Sequence, residues 1–129
     1  MKVTPNDLGI CGVVQLMYAG TIKYSTTGAS TGVELCKLPA NVVVTKATAV
    51  VKTAFNAGTT NVLTVGTNSD VDDLLGTSDV TEGTAGAYTV NKFAEFTTAK
   101  TVKAKFTETG TDATTGEADI YLEVVRIPG

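Results

Sequence analysis

Two stretches of this chain alternate apolar and polar side chains with a strict period of two. Val102, Ala104 and Phe106 interleave with Lys103 and Lys105, and Ile120, Leu122 and Val124 interleave with Asp119, Tyr121 and Glu123. Successive side chains of a strand point to opposite faces, so each stretch reads as a strand with one buried and one wet face. They are joined by ETGTDATTGE. Its Gly and Thr content predicts a flexible connector of about ten residues and places the two strands in a hairpin.

The same vocabulary runs through the rest of the chain. Thr is roughly one residue in five and Val follows it; both carry two heavy atoms on Cβ, which suits a pleated, half-buried surface better than a helix. Residues 41–55, 61–67 and 88–96 read as further strands, and 12–24 and 32–38 supply two or three more. The 41–55 segment is apolar on both faces, with Val43, Ala47, Ala49, Val51 and Phe55 on one and Val42, Val44 and Val50 on the other. It is long for one strand, so a bulge or break is expected within it. Phe55, Phe93, Phe96 and Phe106 are assigned to the core.

This spacing fits an all-β, jelly-roll-like β-sandwich of about seven or eight antiparallel strands, with a partly open barrel as the alternative. Residues 1–11, interrupted by Pro5 and Asp7, form an N-terminal arm, and residues 12–129 a single sandwich domain. One short helix is expected at 69–76. There SDVDDLLG offers a Ser N-cap, acids in the first turn and a Gly stop.

Composition removes several kinds of chemistry. The chain has 129 residues, no His, no Trp, two Cys and a net charge of −3. A chain of this length buries about two thirds of its unfolded surface and needs no metal or disulfide frame. Without His, a Ser, Thr or Cys nucleophile lacks its usual base, and four-ligand zinc sites are missing. Net acidity argues against nucleic acid as a partner. No run approaches the roughly 18 apolar residues of a membrane span, so no membrane partner is expected. The apolar run 10–19 contains Gln15 and follows Asp7, unlike an export signal. Cys11 and Cys36 read as small buried apolar residues rather than a bridge.

Candidate site residues are few. Asn68, Asp70 and Asp72 have the odd-position spacing of a calcium loop, but Asp73 stands where that loop needs Gly, and no Glu closes it. Asp70, Asp72 and Asp73 are therefore read as capping acids and, at most, weak metal candidates; no cofactor is implied. Glu82, Glu95, Glu108, Glu117 and Glu123 fall in loops or at outward positions, where solvation outweighs a glycosidase-type pair. No enzyme is expected. Lys46, Lys52, Lys103 and Lys105 read as a solvated sheet face or edge protection. Tyr18, Tyr24, Tyr88 and Tyr121 are the available stacking platforms for a sugar, although a Tyr at a sheet edge commonly buries its ring and wets its hydroxyl.

Residues 34–88 carry a denser pattern, made by Leu38, Pro39, Ala40, Val44, Phe55, Asn56, Gly58, Leu63, Val65, Gly66, Thr67, Asp70, Asp72, Leu74, Leu75, Gly86 and Tyr88. This pattern resembles small virion structural proteins of tailed bacteriophages and prophages, and residues 101–127 resemble that family's last hairpin. The resemblance implies a capsid decoration (cement), head-fibre or tail accessory protein, made in the host bacterial cytoplasm and carried in the virion. It supplies no catalytic residues. A decoration protein binds a repeating surface many times, so weak contacts summed over an oligomer suffice. The expected partners are the chain itself, as a trimer or dimer, and the phage major capsid protein or other virion proteins, with residues 1–12 as the docking segment. The alternative is a head-fibre or tail receptor-binding module that recognises host-surface glycan.

Overall fold

A computed structural model describes residues 13–128, and among them seven strands form two antiparallel sheets. They are β1 (Val14–Lys23), β2 (Val33–Leu38), β3 (Val42–Thr53), β4 (Thr60–Gly66), β5 (Gly86–Phe96), β6 (Lys100–Thr109) and β7 (Glu117–Arg126). One sheet has the order β1-β7-β3-β5 and the other β2-β6-β4. Odd strands thus make one sheet and even strands the other, and every connection crosses between them.

The core lies between the sheets. Leu63, Val65, Val102, Ala104 and Phe106 reach it from one side, and Ala47, Ala49, Val51, Ile120 and Leu122 from the other. The Phe55 and Phe106 rings meet inside it at 4.6 Å between centroids. The long β3 segment carries the expected bulge, between Val44 and Lys46, where its register with both neighbours shifts. A one-residue shift turns every later side chain to the other face. Val42 and Val44 therefore face the core before the bulge, and Ala47, Ala49 and Val51 after it.

The expected β6–β7 hairpin does not form. β6 lies between β2 and β4, and β7 between β1 and β3, in opposite sheets. Alternation defines the two faces of a strand and says nothing of its neighbour, and the connector is long enough to cross the ~10 Å between stacked sheets. It is also stitched down. Asn56 Oδ1 accepts the Thr114 and Thr115 N–H groups at 2.7 and 3.0 Å, and the Thr115 hydroxyl donates to the Ala54 carbonyl at 2.8 Å.

Nor is there a helix at 69–76, where the chain makes turns ending in a bridge between Leu75 and Val65. The acids that should cap a helix fold back instead. Asp73 accepts both the Thr67 N–H and the Thr67 hydroxyl at 2.6 Å, and the Asp72 N–H donates to Asn68 Oδ1 at 3.0 Å. Val71 has a φ of +55, in the left-handed region, which ends any right-handed turn. Burial of Val71, Leu74 and Leu75 against the sandwich offsets that strain.

Glu82 also departs from expectation, since it is buried rather than solvated. Its Oε2 accepts the Leu63 N–H at 2.9 Å, and its backbone carbonyl accepts the Phe55 N–H at 2.9 Å. It thereby covers part of the free edge of β4. Glu82→Ala leaves the Leu63 amide without its partner, and a loss of about 1–3 kcal/mol is expected in urea denaturation.

Candidate interaction surface

Exposed apolar side chains gather on the outer face of the four-stranded sheet. β1 is an edge strand whose outward residues Val14, Leu16 and Tyr18 are all exposed, Leu16 at 71%. Across the sheet, Tyr18 stands opposite Tyr121 and Tyr121 opposite Thr48. The Tyr18 and Tyr121 rings are 5.6 Å apart and tilted. Leu16, Thr48, Val50 and Tyr121 line a shallow groove of about 450 Å³. At the other edge, Phe93 stands among the outward-facing residues of β5 and is 80% exposed. Phe93 was expected in the core; Phe96 does pack against it.

A polar network borders the groove. The Tyr18 hydroxyl bonds the Thr21 hydroxyl, which donates to Asp119 Oδ1 at 2.5 Å. Lys52 Nζ lies 3.4 Å from Glu117 Oε2 and 3.6 Å from Asp119 Oδ2. The hydrogen bond to Glu117 and the charge of Asp119 hold the Lys52 ammonium above the ordinary lysine value. At Glu123, Oε1 accepts the Thr45 hydroxyl at 2.9 Å.

The other candidates are scattered. Tyr24 lies near the turn after β1, and Tyr88 packs against the core with its hydroxyl donating to the Thr84 carbonyl at 2.6 Å. Tyr18 and Tyr121 are thus the pair that the fold brings together. The lysines divide, with Lys46 and Lys52 on β3 of one sheet and Lys103 and Lys105 on β6 of the other. Glu108 accepts the Ala113 N–H at 2.8 Å, and Glu95 is exposed on the edge strand β5. Asp70 is exposed, while Asp72 and Asp73 bond within their own loop. Among the described residues, no three His, Cys, Asp or Glu side chains converge as metal ligands. Burial first, then the Glu34 charge, pushes the half-buried Cys36 thiol up. The expectation that it forms no bridge with Cys11, like the arm at 1–11, falls outside the described residues.

Val14, Leu16 and Phe93 were missed as surface residues. A signal was present for the first two, because Val14, Leu16 and Tyr18 alternate with period two. Met17 and Ala19 on the other face are also apolar, so the wet face was unreadable. Phe93 follows the unbroken alternation of β5, in which Tyr88, Val90, Ala94 and Phe96 face the core and Thr89, Asn91, Phe93 and Glu95 face out; Lys92 at an inward position blurs the pattern.

No protein-family profile and no curated protein sequence matches the chain. Solved structures do. A chain of the cyanophage Pam1 capsid asymmetric unit is 20% identical with a TM-score of 0.68, covering 99% of this chain and 94% of that one. A chain of the acidic stable capsid of Helicobacter pylori bacteriophage KHP30 is 18% identical with a TM-score of 0.56, covering 91% of this chain and 100% of that one. A chain of the Ralstonia phage GP4 capsid is 20% identical with a TM-score of 0.57, covering 100% and 93%. From end to end of its described sandwich, this chain has the fold of chains found in phage capsid structures.

Proposed function

We propose that this is a non-enzymatic structural protein of a phage virion, a decoration or cement protein that binds the head surface as a homo-oligomer. The observation that carries the reading is the extent of the structural likeness, which takes in 93% or more of each capsid chain and 91% or more of this one. The likeness is therefore to whole chains rather than to a domain within a larger one. The wiring supports the jelly-roll part of the reading. β1 pairs with β7, β2 with β6 and β3 with β5, a nested order that matches a jelly roll lacking one strand of its second sheet. The surface also suits assembly, with its exposed apolar side chains spread over a sheet face.

In this reading residues 1–12, which precede the edge strand β1, dock on the particle. Deleting residues 1–7 is expected to abolish co-sedimentation with capsids while leaving the circular dichroism of the sandwich unchanged. Unchanged binding by the deletion variant would remove the arm from the docking role. A second reading, a head-fibre or tail module recognising host-surface glycan, rests on the Tyr18–Tyr121 pair beside the groove. Loss of host-cell binding on Tyr18→Ala, with capsid binding absent in the wild type, would favour it.

A further inference from the structure

The outer face of the four-stranded sheet is complementary to itself. We propose that it is the contact between two copies of this chain, packed face to face about a two-fold axis running along the seam between β7 and β3. The proposal names a surface and a partner that the decoration reading leaves open, and it stands or falls independently of particle binding.

The strand order β1-β7-β3-β5 puts two strands on each side of that seam. Turning one copy over about the seam lays its β7 on β3 of the other, and its β1 on β5. The outward residues of β7 include the acids Glu117, Asp119 and Glu123, and those of β3 include Lys46 and Lys52. Along the strands Glu123 is level with Lys46, and Glu117 with Thr53, next to Lys52. The turn keeps these levels, so Glu123 of each copy comes over Lys46 of the other, and Glu117 over Lys52. An acidic row meets a basic row twice, once on each side of the axis.

The apolar edges match in the same way. Leu16 is level with Glu123, Lys46 and Asn91. Phe93 lies two residues beyond Asn91, on the same outward face of β5. The Val14–Leu16 edge of one copy therefore covers Phe93 of the other, and three of the most exposed large apolar side chains leave water together. Packed sheets cross at about 30°, which displaces the central Glu123–Lys46 contacts least. The face is large enough. Four strands ~4.8 Å apart and about ten residues long give about 600 Å² per copy, or ~1,200 Å² in all, the lower end of specific stable interfaces.

Sedimentation velocity on Lys46→Glu, Glu123→Lys and their mixture tests this. The wild type is expected at twice its 13.3 kDa mass. Each single reversal sets like charges against one another at both symmetric contacts, and each is expected to weaken association about a hundredfold. Mixing the two folded variants in equal amounts is expected to restore the dimer, because across the copies every reversed charge then meets its opposite. A pair acting only within one copy would not be rescued by mixing. Phe93→Ser, at a position exposed in the single copy, is expected to weaken association, with an unfolding midpoint unchanged at dilutions where the wild type is dissociated. A monomeric or trimeric wild type, variants that associate as the wild type does, or a mixture that stays monomeric would each overturn the proposal.

Discussion

Phe106→Ala is expected to cost about 3–5 kcal/mol of folding stability, whereas Phe93→Ala changes it by less than about 0.5 kcal/mol. The two residues are chemically identical and both lie on strands. Phe106 is 2% exposed in the middle strand of the three-stranded sheet, with its ring against Phe55. Its removal opens a cavity at the contact between the sheets, where no side chain can collapse without unpacking another. The Phe106 N–H still donates to the Ala29 carbonyl at 2.8 Å, so the backbone of β6 is retained and the loss is one of packing. Phe93 is 80% exposed on an edge strand and has little burial to lose in the single copy. Denaturant midpoints at unchanged slope, taken at protein concentrations low enough to keep single copies, provide the measurement. Equal effects at the two positions would contradict the placement of the core.

Gly66→Ala is expected to cost about 2–4 kcal/mol, by overpacking and by the hydrogen bonds that it breaks. A Cβ on Gly66 would lie 2.5 Å from the Asp72 amide nitrogen and 2.5 Å from Asp73 Oδ1. The loop after β4 would have to lift away. That loop is held by Asp73 on Thr67 and by the Leu74 and Leu75 N–H groups, which donate to the Val65 carbonyl at 3.0 and 2.9 Å. It carries Leu74 and Leu75 into the core, so its displacement exposes both. Gly83→Ala is the control, because nothing lies within 4 Å of a Cβ there. A change under about 0.5 kcal/mol is expected at Gly83. Equal stability of the two variants would contradict the loop packing.

Strand faces were legible in the sequence wherever one face was polar. Lys103 and Lys105 marked the wet side of β6, and the buried set Val102, Ala104 and Phe106 follows from them. Strand partners were not legible, because a period-two pattern is the same in a hairpin and in a crossover between sheets. The connector after β6 looked loose by composition, and only the fold reveals Asn56 gripping Thr114 and Thr115 from a segment more than fifty positions away. The segment 69–76 satisfied the local rules for a helix. Tertiary contacts outweighed them, since Thr67, Asn68 and Val65 offer Asp73, Asp72, Leu74 and Leu75 better partners than a lone helical turn would. Buried Glu82 carried no sequence signal at all, because its partner amide at Leu63 is defined only by the fold.

The interaction surface was legible in its parts and not as a whole. Tyr18 and Tyr121 were singled out as rings, and Lys46, Lys52, Glu117 and Glu123 as charges. Their arrangement on one face depends on β7 inserting between β1 and β3, a pairing of the two ends of the chain with its middle. No local rule reaches across such separations. The bulge at Val44–Lys46 was expected from the length of the segment, but which β3 side chains face out on either side of it required the partner strands to be known.

The virion reading is tested most directly by sedimenting the purified protein with capsids isolated from the phage or prophage that encodes it, over a range of protein concentrations. The expected result is saturable co-sedimentation at a fixed ratio to the major capsid protein, as a repeating head lattice demands. Protein that stays in the supernatant at every concentration, with capsids intact and the sandwich folded, would contradict it.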